Sequence, residues 1–232
     1  MFSTTSLTCG FLFDLDGTLV QTDPLHQSLW KIILASYGHD LTEDLYHQRV
    51  AGRSDQDIWE QWGIGTKEER ENWTQWKESE FLKRIHETIP VVGGKERIQQ
   101  WSKLDAWIGV ITNSNTKTAC ALLDRLEITN YISFLITSDS NCKPKPSSEP
   151  YEQGMEMLGL DPRTTVIFED SDIGIQSVLR MQNRPNYIYR ILPSHSRTSV
   201  ISSSSYEWIE NYLDPRLDAF LGTLQDERQY KD

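Results

Sequence analysis

Asp14 and Asp16 stand two residues apart, directly after the apolar run Phe11-Leu12-Phe13. Side chains alternate along a strand, so two carboxylates at this spacing leave its end on the same side. Gly17 lets the backbone turn sharply beside them, and Thr18 adds a small hydroxyl near the turn. Such a strand end suits a nucleophilic carboxylate backed by a second carboxylate that handles protons. A hard metal ion would suit both. Taken bare, the pair also fits an Asp-rich turn after a buried strand.

Three further groups can do chemistry, each at the end of another apolar run. Thr112 and Asn113 follow Trp107–Ile111. A hydroxyl there could hold a phosphoryl oxygen, and the helix start at Ser114-Asn115-Thr116 offers backbone N–H groups to an anion. Lys143 lies in Cys142-Lys-Pro-Lys-Pro146, where two prolines stiffen the loop and make a fixed lysine a preorganised cation. Lys145 is the neighbouring alternative, read as the more solvated of the two. Glu169-Asp170 ends the run Thr165–Phe168. Adjacent carboxylates at a buried strand end raise each other's pKa unless a cation neutralises them, and Mg²⁺ with oxygen ligands is the natural partner.

These groups need a scaffold that brings strand ends together. Cys9–Phe13, Trp107–Ile111, Ser133–Ile136, Thr165–Phe168 and Tyr187–Ile191 read as strands. Lys95–Leu104, Lys117–Leu126, Pro150–Leu158 and Ile173–Met181 read as the helices between them. This order predicts an α/β fold with a doubly wound parallel sheet and ligands at the strand C-termini. The stretch before Val91 shows no convincing strand. Asp23-Pro24 reads as an N-cap with Pro at N1, followed by a helical pattern over His26–Tyr37. Ser54 with Asp57 resembles a capping box opening a helix through Trp62. Lys67–His86 reads as a long charged helix whose Trp73, Trp76 and Phe81 serve packing. The expected division is a core of residues 1–22 and 91–232 with a small helical cap domain, 23–90, inserted in it. Thr198–Ser205 reads as a solvated serine loop, and Ser205–Leu213 and Pro215–Leu224 as terminal helices.

The chain has 232 residues and a net charge of −11, which disfavours nucleic acid and anionic membrane surfaces as partners. A phosphate-bearing substrate must then be held locally, by metal, cations or backbone N–H groups. No segment has the apolar length of a membrane span, and the N-terminal stretch lacks the basic region of a signal peptide. Three scattered cysteines, Cys9, Cys120 and Cys142, suggest reduced thiols and a cytoplasmic location.

The strings FDLDGT (13–18), VITN (110–113), KPKP (143–146) and VIFEDSDIGI (166–175) resemble, in order, the four motifs of the haloacid dehalogenase-like (HAD) superfamily. TDPLH (22–26) and AGRSDQDI (51–58) resemble parts of the helical cap in its phosphatase/β-phosphoglucomutase-like branch. The resemblance implies a Rossmann-like core and an aspartyl-phosphate formed on Asp14. Asp16 would be acid and then base, and its backbone carbonyl would ligate Mg²⁺. Thr112 and Lys143 would bind the phosphoryl group. Asp170 would ligate Mg²⁺, with Glu169 ligating directly or through water. Asn113, His26 and Arg53 join the candidate substrate contacts.

The departures from the family pattern bear on the reaction. Gln21 stands where relatives often carry Asp, and Leu179-Arg180-Met181 replaces a small-residue pattern. Ala51 and Asp55 occupy positions where β-phosphoglucomutases are expected to be basic, with Arg49 and Arg53 only nearby. The expected activity is therefore a Mg²⁺-dependent phosphatase acting on a small phosphorylated metabolite, as a monomer or weak dimer. A phosphomutase is the alternative and an inactive binding protein a third reading. Dehalogenase chemistry needs no metal and leaves Glu169-Asp170 unexplained.

Overall fold

The computed structural model describes residues 9–104, 106–192, 203–218 and 221–222. The chain starts with β1 (Cys9–Phe13), whose five residues are all buried. A short strand β2 (Val20–Gln21) precedes four helices: α1 (Asp23–Ser36), α2 (Glu43–Arg49), α3 (Asp55–Trp62) and α4 (Lys67–Lys83). Strand β3 (Ile89–Pro90) then pairs antiparallel with β2. The alternating series follows: α5 (Gly94–Trp101), β4 (Ala106–Ile111), α6 (Thr116–Arg125), β5 (Phe134–Ile136), α7 (Glu149–Leu158), β6 (Thr165–Glu169), α8 (Asp172–Leu179), β7 (Tyr187–Ile191) and β8 (Glu207–Ile209).

The main sheet has six strands in the order β5-β4-β1-β6-β7-β8, and all five pairings are parallel. This is the doubly wound α/β sheet expected from the sequence. Period-two alternation assigns each face. Phe11 and Phe13 of β1 point with Val110 and Phe168 towards α5 and α6, whereas Leu12, Ile111 and Ile167 pack under α7 and α8. The first face is an aromatic stack: Trp101 lies 4.4 Å from Phe11 and Phe13 lies 4.8 Å from Phe168, both near parallel. Chain connections leave β1 towards β4 and leave β6 towards β7. The crevice at the carboxyl ends of β1 and β6 is thus the switch point, where open α/β sheets bind ligands.

Helices α1–α4 share a cluster of their own, built on Trp30, Ile33, Leu34, Tyr46, Ile58 and Trp59, with Trp73 and Trp76 packed against it. The tryptophans of α4 therefore pack, and Trp59 Nε1 donates to Thr74 Oγ1 at 3.1 Å.

Several local expectations change. Asp23 is not the N-cap of α1: Thr22 holds that position, and its hydroxyl donates to Asp16 instead of capping. Ser54 does cap α3, accepting from the Asp57 N–H, but the Asp57 carboxylate accepts from the Ser54 hydroxyl. The complete capping box lies at Thr66 and Glu69 of α4, where the longer Glu reaches the Thr66 N–H. The long helix stops at Lys83, and Ile85–Glu87 form a single 3₁₀ turn. Helix α2 and strands β2 and β3, too short for a periodic signal, were not expected.

Ser205–Leu213 is no helix: Glu207–Ile209 adds β8 to the sheet edge. Pairing with β7 and burial of Ile209 outweigh local preference there. Ser203–Ser205 form a 3₁₀ turn. The rest of the serine loop and the first eight residues lie outside the described residues, as does part of Pro215–Leu224. No helix among the described residues is long and apolar enough to cross a membrane.

Candidate active site

Asp14 is the first residue after β1, and its N–H donates to the Phe168 carbonyl on the neighbouring strand. That bond sets the end of β1 beside the end of β6. The Asp14 side chain is buried, and Oδ1 accepts from Lys145 Nζ at 2.8 Å. The same ammonium donates to Glu169 Oε1 at 2.6 Å, and the Tyr151 hydroxyl donates to that oxygen at 2.6 Å. Lys145 lies 4.9 Å above the Tyr151 ring.

The backbone around these carboxylates is constrained to glycine. Gly17 adopts φ +83°, and a Cβ there would come within 2.1 Å of Asp170 Oδ2. Gly174, in the first turn of α8, leaves room for Glu169: a Cβ would meet its Oε2 at 1.9 Å. Thr18 Oγ1 donates to Asp170 Oδ1 at 3.1 Å. The FDLDGT turn thus fits against the strand end that carries Glu169-Asp170.

Asp16 points to a different set of partners. Its Oδ1 accepts from Thr22 Oγ1 at 2.7 Å and lies 3.4 Å from His26 Nε2. Its Oδ2 accepts from Ser114 Oγ at 2.7 Å and from Thr112 Oγ1 at 3.3 Å. Thr112 also accepts from the Ser114 N–H. The His26 ring stacks on Phe81 of α4 at 4.6 Å.

The two carboxylates of the motif are therefore tuned in opposite directions. Burial, reinforced by Glu169 and Asp16 and only partly offset by Lys145, pushes Asp14 up to about 7. Burial also raises Asp16, but hydrogen bonding to His26, Ser114 and Thr22 outweighs it and brings this carboxyl down to about 2. Asp170 is pushed well above the usual carboxylate range by burial and by Asp14 and Glu169. For Lys145, burial favours loss of the proton, yet Asp14 and Glu169 win and raise its pKa.

Lys143 does not reach this centre. Its side chain is 80% exposed and pairs with Glu149 at 3.3 Å, whereas the Lys145 side chain is 3% exposed. The cause lies in the backbone. Asn113 accepts from the Lys145 N–H through Oδ1 and donates through Nδ2 to the Lys145 carbonyl, which fixes this residue facing inward. The Lys143 N–H is bound instead by Glu149, in the first turn of α7. Asn113 Nδ2 also donates to the Gly52 carbonyl at 2.9 Å, so this amide is committed to the chain. Arg53 lines the cavity from the loop before α3; its Nη2 reaches the Gln48 carbonyl at 3.4 Å. Ser114, Tyr151 and Lys145 are the members that the sequence reading left out or set aside. Thr112-Asn113-Ser114 carries a signal for Ser114. Tyr151, a buried aromatic at the start of a helix, carries none.

A cavity of about 440 Å³ opens above Asp14, Asp16 and Asp170, bounded on its other side by α1, α3 and α4. The model for haloacid dehalogenase-like hydrolases matches residues 11–184, which takes in the last three residues of β1, the four helices and both ends of the carboxylate cluster. The chain belongs to this family.

Among relatives of this haloacid dehalogenase-like chain is a phosphorylated carbohydrates phosphatase of Thermotoga maritima. It is 28% identical over 179 residues, covering 72% of this chain and 78% of the relative. A fructose-1-phosphate phosphatase of Escherichia coli is 27% identical over 177 residues, covering 72% and 89%. A β-phosphoglucomutase from Clostridium difficile superposes with a TM-score of 0.78 over 95% of this chain and 99% of that one, at 17% identity, a likeness of fold.

The cluster has the chemistry of a hard-cation site. Asp14, Glu169 and Asp170 each offer an oxygen, and these oxygens lie within 4.8 Å of one another. Glu169 Oε2 is buried with no hydrogen-bond partner in the protein, an acceptor placed for a cation or a water. Asp16, whose carboxylate is bound by four side chains, is not part of this side-chain set.

Proposed function

We propose that this protein is a phosphatase that hydrolyses a small phosphomonoester, a sugar phosphate or a close analogue, through an aspartyl-phosphate on Asp14. One observation carries the reading: a buried carboxylate, Asp14, held by a buried lysine shares one strand-end crevice with a second carboxylate, Asp16, held by its own hydroxyls and His26. The activities of the two phosphatase relatives support the same reaction class.

In this reading an Asp14 carboxylate oxygen attacks phosphorus as the ester P–O bond breaks. Asp16, ionised in the free enzyme, relays to the leaving alkoxide a proton drawn from His26. Water then attacks phosphorus, Asp16 takes its proton, and the acyl-phosphate bond breaks to restore the Asp14 carboxylate and release phosphate. His26, at 3.4 Å from Asp16, is placed to share that proton. Lys145 offsets part of the charge of Asp14 and Glu169 and orients both, and the Thr112 hydroxyl, 3.3 Å from Asp16, would bind a phosphoryl oxygen. Mg²⁺ would be held by Asp14, Asp170, the Asp16 backbone carbonyl and Glu169, the last directly or through water. When bound it supplies charge stabilisation to the phosphoryl group.

Residues 23–90 act here as a cap over a core of 1–22 and 91–232, with β2 and β3 at the junction. Its contacts set which ester is accepted. We place the enzyme in the cytoplasm, on the three unbridged cysteines, and take it to act as a monomer or weak dimer.

The test is a panel of sugar phosphates assayed with Mg²⁺ for both phosphate release and isomer formation. Phosphate release without isomers, abolished by excess EDTA, is expected. Isomerisation without net release would establish a mutase, and full turnover in EDTA would remove the metal from the mechanism.

A further inference from the structure

The side of the cavity formed by the helices carries its own charges. Lys77 of α4 is buried, with Nζ 2.8 Å from Asp55 Oδ1 at the start of α3 and 5.5 Å from the Trp30 ring. Lysine is seldom buried unless paired, and here its partner also lines the cavity. Asp23, at the start of α1, accepts from the Tyr46 hydroxyl at 2.6 Å. Arg53 is the other cation on this side. Apart from His26, which faces Asp16 of the floor, two cations, Lys77 and Arg53, stand against two carboxylates, Asp55 and Asp23, and balance them. The floor has no cation to spare, because Lys145 is bound by Asp14 and Glu169.

Lys77 and Asp55 together present a donor and an acceptor side by side. A hydroxyl both donates and accepts, so it matches the pair. A phosphate or carboxylate at neutral pH only accepts, and it would meet the Asp55 charge. Resting on the phosphatase reading, we infer that the Lys77–Asp55 pair is a specificity determinant. It selects esters with one phosphate whose remaining groups are hydroxyls, and it excludes substrates with a second anionic group.

The probes are matched pairs differing by one phosphate: glucose 6-phosphate with glucose 1,6-bisphosphate, and fructose 1-phosphate with fructose 1,6-bisphosphate. kcat/KM is measured for wild type, Asp55→Asn and Lys77→Met, with melting temperatures to establish folding. Asp55→Ser replaces Asp55→Asn if the latter does not fold. Wild type is expected to favour the monophosphates by about ten-fold or more. Asp55→Asn leaves one net positive charge and should narrow the preference by about ten-fold, through KM for the bisphosphate. Lys77→Met leaves one net negative charge and should widen it. A purely structural pair would move both variants the same way.

Wild type with no preference, or two variants that shift it together or not at all, would overturn the inference. Calorimetric affinities of the same compounds for Asp14→Asn protein, with and without Asp55→Asn, decide it independently of turnover. If no compound releases phosphate, the phosphatase reading fails, while bisphosphate binding tighter than monophosphate overturns the specificity pair.

Discussion

The floor and the helical side of the cavity are built on different terms. On the floor, Lys145, Asp14, Glu169 and Tyr151 are buried and interlocked by bonds of 2.6–2.8 Å; the first three come from a strand end or the loop beyond it, and Tyr151 from the first turn of α7. Helices α1–α4 surround a cluster of their own, lend Leu25, Leu29 and Phe81 to the core of the sheet, and meet the floor through a handful of polar contacts, His26 with Asp16 among them. Asn113 binds the Gly52 carbonyl, Gly52 closes on Ser171, Arg125 binds the Thr88 carbonyl, and Lys117 pairs with Glu78. Rigid strand ends can hold reacting groups to a fraction of an ångström, as phosphoryl transfer requires. Exposed and cavity-facing residues of the helices can change without disturbing those strand ends. On the proposed function, the difference teaches that chemistry falls to the strand ends and selectivity to the helices.

That division is open to direct attack. The largest effect should come from Asp14→Asn, which removes the proposed nucleophile and should lower kcat by about 10⁴-fold or more while the protein still folds. Mass spectrometry should find phosphate on Asp14 in the wild type, and phosphate on another residue would refute the assignment. Next comes a contrast between two lysines two residues apart. Lys145→Met leaves buried carboxylates without their cation and should cost about 3–5 kcal/mol of stability along with most of the activity. Lys143→Met, at an exposed ion pair, should change stability by less than about 1 kcal/mol and leave turnover unaltered. Chemical denaturation and steady-state kinetics read both.

A helical-side change should act differently in kind. Arg53→Ala should raise KM or shift substrate preference by about ten-fold, without preventing phosphorylation of Asp14 by acetyl phosphate. Equal loss with both donors would place Arg53 in the floor chemistry and break the comparison.

The smallest expected effect is thermal. With its carboxyl raised to about 7 from an ordinary 3.8, folded Asp14 holds a proton between those values that the unfolded chain has released. Metal-free stability should therefore fall as pH rises through this window. Asp16, lowered to about 2, acts oppositely: its contribution is present above 3.8 and is lost as pH falls towards 2. A divalent cation relieves the Asp14 penalty, so Mg²⁺ should raise the melting temperature by about 3 °C more at pH 8 than at pH 5. An equal increment at both would show that Asp14 does not bind the cation.

Much of this was legible without coordinates. The strands β1, β4, β5, β6 and β7 were visible because buried parallel strands are short apolar runs, and their order predicted the switch-point crevice. Asp14, Asp16, Thr112, Glu169 and Asp170 were visible because each sits at or just beyond a strand end, where position along the chain almost fixes position in space. β8 was not: three residues at a sheet edge have no periodicity of their own, and only β7 supplies their partners.

Residue types and spacing thus determined, by themselves, the sheet, the inserted helices and the carboxylates, since short-range backbone geometry carries all three. Tertiary structure alone decided between Lys143 and Lys145. Both lie in the same proline-stiffened loop, and the choice is made by Asn113, more than thirty residues away, gripping the Lys145 backbone on both sides. It also diverted the Thr22 hydroxyl from capping α1 to binding Asp16. It brought Lys77 against Asp55 as well, because α3 and α4 bury their apolar faces together and leave these charges to meet at the cavity wall.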